Sequence, residues 1–99
     1  MRLMKSRPNA PDFNAANDIA VQALAFLAGD MERLGRFLAL TGLDPTTIRQ
    51  AARQQGFLVG VLDHVLGDEA LLVAFAAGHD LAPQDIAEAR AVLAGPQVH

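Results

Sequence analysis

The side chains most able to do chemistry lie between Asp63 and Asp80, in the second half of the chain. His64 and Asp68 are four residues apart, a spacing that places two side chains on one face of a helix, and imidazole with carboxylate suits zinc or manganese. Gly67 lies between them and predicts a helix end, which would separate the two faces. Positions at helix termini also account for both residue types. Asp68 can cap the N-terminus of one helix, and His64 lies near the C-terminus of another, where positive charge is favourable. We therefore expect no metal ion and no cofactor.

Residues for covalent catalysis are scarce. The chain has no cysteine, and its only serine and only lysine are Ser6 and Lys5, both before the first predicted helix. The threonines stand at predicted helix ends, where hydroxyl groups usually bond to the local backbone. We therefore expect a protein that is not an enzyme. The lack of cysteine also excludes disulfides and is compatible with a reducing cytoplasm.

The segment 31–53 is similar to a nucleic-acid-binding motif. Gly42 joins two predicted helices, Leu43 follows it and Ile48 lies six residues beyond it, as in the helix-turn-helix of bacterial repressors. Four basic side chains could contact DNA. Arg49 and Arg53 would lie on the reading helix, and Arg33 and Arg36 could reach phosphates. The pattern departs from the motif at Leu38, where a small residue is usual, and the net charge of -3 is unlike that of a phosphate binder. Nucleic acid is thus the alternative partner, not the expected one.

The composition is that of a folded helical protein. Of the 99 residues, 52% are hydrophobic and 19% are charged, which is unlike a disordered chain. This length has room for one hydrophobic core, so we predict a single domain. Prolines follow the basic N-terminus where an export signal would need an apolar stretch, and the longest apolar run, 70–77, is too short to cross a membrane. We expect a soluble, cytoplasmic protein with no membrane partner.

Glycine, aspartate and proline divide the chain into short helices. Gly29 and Gly67 each predict a helix end, typically in the left-handed conformation, and the aspartate after each predicts an N-cap. Two further helix starts combine a hydrophobic staple with a first-turn proline: Leu43, Asp44, Pro45 and Ile48, and then Leu81, Pro83 and Ile86. The predicted fold is all-α, a compact bundle of five to six short helices within residues 13–95, after a flexible tail at 1–12.

The two halves of this domain match each other. A shift of 38 residues without gaps gives 11 identical residues in 33 pairs, including Gly29 with Gly67 and Phe37 with Phe75. This match predicts two pseudo-symmetric three-helix units, at about 17–53 and 55–94. Recurrent helix junctions and the abundance of alanine and leucine offer another explanation. Two units are too few for a solenoid, so we expect a compact bundle.

The differences between the units indicate a contact surface. Arg33 and Arg36 in the first unit correspond to Leu71 and Ala74 in the second, so one surface is charged in one unit and apolar in the other. The helix predicted at 69–77 is apolar nearly all round, which indicates either the centre of the bundle or a contact with another chain. The candidate contact residues are Leu71, Val73 and Ala74. We therefore expect a non-catalytic domain that acts through protein–protein contacts or self-association.

Three strings of the sequence resemble a known family. ALAFLAGD, ERLGRFLALTGLDP and GFLVGVLDHVLGDEALLVAFAA occur in an order similar to that of a family of small uncharacterised helical proteins of alphaproteobacteria. The resemblance covers about residues 17–90. It implies a bacterial, cytoplasmic origin, and it carries over no activity, cofactor or site residue because the family has none assigned.

Overall fold

The computed structural model describes residues 12–44, 46–51 and 53–95, and the regular structure in these ranges is entirely helical. Six helices follow one another in the described residues: α1 Phe13–Ala28, α2 Met31–Thr41, α3 Ile48–Ala51, α4 Gln55–Leu66, α5 Glu69–Gly78 and α6 Pro83–Ala94. The prediction of an all-α bundle of five to six short helices is confirmed. The tail predicted at 1–12 lies outside the described residues except for Asp12, whose carboxylate caps α1 by accepting the Ala15 N–H at 2.7 Å.

Three helices form the centre of the bundle. α1, α4 and α6 pack against one another, α2 lies against α1, and α5 lies against α4 and α6. The largest fully buried side chains come from five of the helices: Phe37, Phe75, Leu27, Leu62, Ile86, Leu93, Val61 and Val65. Alanines such as Ala16, Ala20 and Ala23 are also fully buried, so α1 can approach its neighbours closely. The outer helices α2 and α5 are each anchored in this core by a phenylalanine.

The two glycine–aspartate junctions have nearly the same geometry. Asp30 and Asp68 are extended N-caps whose carboxylates accept backbone N–H groups of α2 and α5. The expectation of a left-handed residue at the preceding glycines is wrong, since Gly29 has φ -76° and Gly67 has φ -80°. At Gly67 a Cβ atom would lie 3.2 Å from the Asp63 carbonyl oxygen, so close backbone approach favours glycine there. Left-handed φ does occur at Gly42, at 74°, where α2 ends.

The helix predicted to begin at Asp44 is shorter than expected. Asp44 Oδ1 accepts the N–H and the hydroxyl of Thr46, both at 2.9 Å, and so stabilises a turn. The helix itself, α3, begins at Ile48 and spans four residues. Pro45 lies outside the described residues. Arg49 and Gln50 are exposed, and a helix of four residues is too short to be stable without tertiary packing.

Candidate functional site

A groove lies where the N-terminal ends of α2 and α5 meet the C-terminal end of α4. Its volume is about 180 Å³, and its lining residues are Glu32, Arg33, Arg36, His64, Asp68, Ala70 and Leu71. The N-termini that meet here are each capped by an aspartate: Asp30 follows α1 and caps α2, and Asp68 follows α4 and caps α5. The groove therefore combines two cations, two carboxylates and an imidazole with a small apolar floor.

Arg33 is held by residues of its own half of the chain. Its guanidinium carbon lies 4.4 Å from the centroid of the Phe26 ring, a cation–π contact. Its Nη1 atom is 4.0 Å from Asp30 Oδ2, and its backbone N–H donates to Asp30 Oδ1 at 3.2 Å. These contacts orient Arg33 along the wall of the groove and leave 38% of its side chain exposed.

Arg36 connects the two outer helices. Its Nη1 atom lies 3.8 Å from Asp68 Oδ2, while Asp68 Oδ1 accepts the Leu71 N–H at 3.1 Å as the cap of α5. Arg36 keeps 69% of its side chain exposed. An exposed pair at this distance contributes little to stability, so Arg36 remains accessible to a further anionic group.

His64 lies at the inner wall of the groove. Its ring is edge-on to the Phe37 ring, with centroids 5.1 Å apart. Partial burial lowers the pKa of His64. The nearby Asp68 raises this pKa and Arg36 lowers it, and the net effect is a lowered pKa. The neutral imidazole is therefore the form that the folded protein favours. The sequence suggested two roles for His64, a metal ligand with Asp68 or a helix-terminus residue, and neither includes aromatic packing. The 38-residue shift, which pairs His64 with Phe26, was the signal for that packing.

The four arginines of the nucleic-acid alternative do not share one place. Arg33 and Arg36 line the groove, and Arg49 and Arg53 are not among its lining residues. Arg49 is exposed on α3, and Arg53 is exposed in the turn that follows. α3 has only one turn of helix, far shorter than a reading helix in a major groove.

The three candidate contact residues on α5 have different environments. Leu71 retains 9% of its surface and belongs to the core, so the expectation that it faces outward is wrong. It precedes the buried Phe75 by one helical turn and so shares its inward face. Val73 is 54% exposed and Ala74 is half-buried. With Ala70 and Ala77, which are exposed, these two residues form a surface that we name the apolar α5 face.

The family of the chain follows from its sequence. The model of a family described as "Protein of unknown function (DUF3572)" matches residues 13–96. The chain belongs to this DUF3572 family. The match spans all six helices, so the groove and the apolar α5 face both lie within the DUF3572 domain. No curated protein and no solved structure matches the chain.

The groove of this DUF3572 domain has limited chemical capacity. Within the described ranges, no three side chains of histidine, aspartate or glutamate are grouped so that they could hold a metal ion. His64 and Asp68 do line the same groove, but Asp68 is engaged as a helix cap. No helix in the described part of the chain is both long and apolar enough to span a bilayer. Arg36 in the groove and Val73 on the apolar α5 face are both more than half exposed.

Proposed function

We propose that this chain is a small, non-catalytic helical domain that acts through protein–protein contact. The observation that carries this proposal is the apolar α5 face. Val73 at its centre is 54% exposed, and no charged side chain occurs between Glu69 and His79. Apolar side chains grouped on the surface of a small soluble domain, here Val73 with three alanines, can mark an interaction site.

The contrast between the two outer helices supports the proposal. A shift of 38 residues pairs Glu32 with Ala70, both exposed, and the exposed Arg36 with the half-buried Ala74. At these two positions α2 is charged where α5 is apolar, although α2 also exposes Met31 and Leu40. Since a solvated surface tolerates charge at the α2 positions, its absence from α5 is best explained by a partner that covers it.

The groove favours binding over catalysis. Arg33 is stacked on Phe26, Arg36 pairs with Asp68, and Asp68 caps α5. No hydroxyl, thiol or amine nucleophile occurs among the residues that line the groove. We therefore propose no cofactor and no reaction for this site, and we propose the cytoplasm as the compartment because the chain has no cysteine to oxidise.

We also propose that the two units arose as copies of one sequence. The caps support this idea: Asp30 has φ -138° and ψ 118°, and Asp68 has φ -129° and ψ 108°. The anchoring residues Phe37 and Phe75 correspond in the same shift and are both fully buried. The copies would then have diverged on their outer surfaces, where α5 acquired its apolar face.

A pair of matched variants tests the proposed function. Val73→Arg places a charge on the apolar α5 face, and Val21→Arg does the same at a 47% exposed valine of α1. The wild-type chain and both variants are immobilised as baits in extract of the source organism, and retained proteins are identified and then tested as purified proteins. We expect one partner, or further copies of the chain, to bind wild type and Val21→Arg but not Val73→Arg. Equal retention by all three baits would refute a contact at α5.

A further inference from the structure

We propose that the partner of the apolar α5 face is an amphipathic helix with lysine or arginine at both ends of its apolar stripe. This inference rests on the proposed function and names the chemistry of the partner. It derives from the charges around the face, because the apolar residues alone would accept many occupants.

The apolar α5 face lies between two carboxylates. Glu69 is exposed at the start of α5, and Asp80 is exposed two residues after its end. Neither forms an ion pair in the part of the chain that the structure describes. α5 itself has ten residues and is about 15 Å long, which is nearly three turns of a partner helix. A partner with basic side chains at that separation would meet a carboxylate at each end.

The remaining charges near the face do not offset this acidic character. Two arginines line the groove beside the N-terminal end of α5, and each has an acidic neighbour: Arg33 lies near Asp30 and Arg36 near Asp68. Glu32 adds a third carboxylate to the same groove. At the other end, the Nδ1 atom of His79 lies 3.2 Å from the Phe75 carbonyl oxygen. Residues 54–99 contain one basic and six acidic side chains, a net charge of -5. The field around α5 therefore attracts cations.

The same charges disfavour a second copy of the chain as the occupant. An antiparallel pair of α5 helices would place Glu69 of one copy near Asp80 of the other. A parallel pair would place each carboxylate near its own counterpart. Like charges across an interface reduce association, so a basic helix fits this surface better than another α5 does.

The shape of the face suits a helix. Ala70, Ala74 and Ala77 have short side chains, which permit a partner helix to approach to about 8 Å between axes. Val73 projects from this surface and can occupy a gap between side chains of the partner. Such a contact buries far less than the roughly 1,200 Å² of a stable complex, so we expect fast and reversible binding.

Two synthetic helical peptides test the inference. They share one leucine stripe, and the first has arginine at both ends of the stripe where the second has glutamate. Each is labelled and titrated with the full chain at low salt, and binding is followed by fluorescence anisotropy. We expect the arginine peptide to bind at least tenfold more tightly than the glutamate peptide, with an affinity that falls as salt is added.

Three variants locate the binding. Val73→Arg should abolish it, and Val21→Arg should leave it unchanged. The double variant Glu69→Gln/Asp80→Asn should weaken it by about three- to tenfold at low salt, since each exposed charge pair contributes a modest share. Equal binding of both peptides, or no effect of the double variant, overturns the inference.

Sedimentation of the chain alone separates this inference from the proposed function. Self-association that is lost in Val73→Arg, together with no binding of the arginine peptide, would refute the basic partner and retain protein contact at α5. A chain that stays monomeric and binds the arginine peptide at α5 supports both. A purified natural partner that binds at Val73 through an acidic segment would again refute only the basic partner.

Discussion

The imidazole of His64 packs edge-on against the ring of Phe37, with centroids 5.1 Å apart and ring planes at 73°. A related contact joins Phe26 to Phe75 at 5.4 Å. Phe26 corresponds to His64, and Phe37 to Phe75, in the 38-residue shift. Each unit thus places a ring from its first helix on the anchoring phenylalanine of the other unit. The two units are interlocked by these contacts.

The interlocking histidine should make stability depend on pH. Because the fold lowers the pKa of His64 from 6.5, the unfolded chain binds a proton there more readily than the folded chain does. The free energy of unfolding should therefore fall as the pH decreases through 6.5 towards the pKa of the folded protein. Thermal or urea unfolding between neutral and mildly acidic pH measures this change.

The variant His64→Phe provides the control, since phenylalanine already occupies the corresponding position 26. We expect the variant to fold and to lose less stability than wild type as the pH falls over the same range. Carboxylates titrate in both proteins. The difference between their two pH dependences of stability is therefore the contribution of His64. A difference in stability that does not change with pH would contradict this prediction.

Two arginine substitutions two residues apart on α5 should differ greatly in their effect on stability. Leu71→Arg places a guanidinium in the core and should cost about 3 kcal/mol or more, enough to unfold much of so small a domain. Val73→Arg lies on the exposed side and should change stability by less than about 0.5 kcal/mol. Thermal melting of the two variants checks this. Similar melting temperatures would show that the inward and outward faces of α5 are assigned wrongly.

The aspartate caps should have similar energetic roles. Asp30 Oδ1 accepts the N–H groups of Glu32 and Arg33, and Asp68 Oδ1 accepts that of Leu71. Asp30→Ala and Asp68→Ala should each cost about 1 kcal/mol, because the first backbone donors of a helix lose their acceptor. Urea denaturation measures the loss. Asp30→Ser and Asp68→Ser should restore most of it, and serine variants as unstable as the alanine variants would exclude capping as the cause.

Binding to nucleic acid should be weak and without sequence preference. Arg33 and Arg36 are already in contact with Phe26 and Asp68, and Arg49 lies on a helix of one turn. We expect association with duplex DNA only at low salt, and equally for unrelated sequences. Sub-micromolar binding of one sequence at physiological salt, lost in Arg49→Ala, would establish the nucleic-acid alternative in place of protein contact.

Local sequence signals determined most of the helical framework. Gly29–Asp30 and Gly67–Asp68 marked two junctions correctly because a helix cap depends on backbone groups only a few residues away. The same local information failed after Asp44, where the capping pattern was present but α3 extends for only four residues. A helix of that length depends on its packing more than on its cap.

The candidate site depended on tertiary structure. The sequence indicated that α5 was apolar nearly all round, and it could not say which side the core would take. The structure buries Leu71 and exposes Val73 because Phe75 anchors α5 against α4 and α6. It also brings Arg36 to Asp68, 32 positions apart, and so forms a groove in which α2 meets α4 and α5 from the other half of the chain. Periodicity determines that a helix has faces, and only packing against the other helices decides which face remains for a partner.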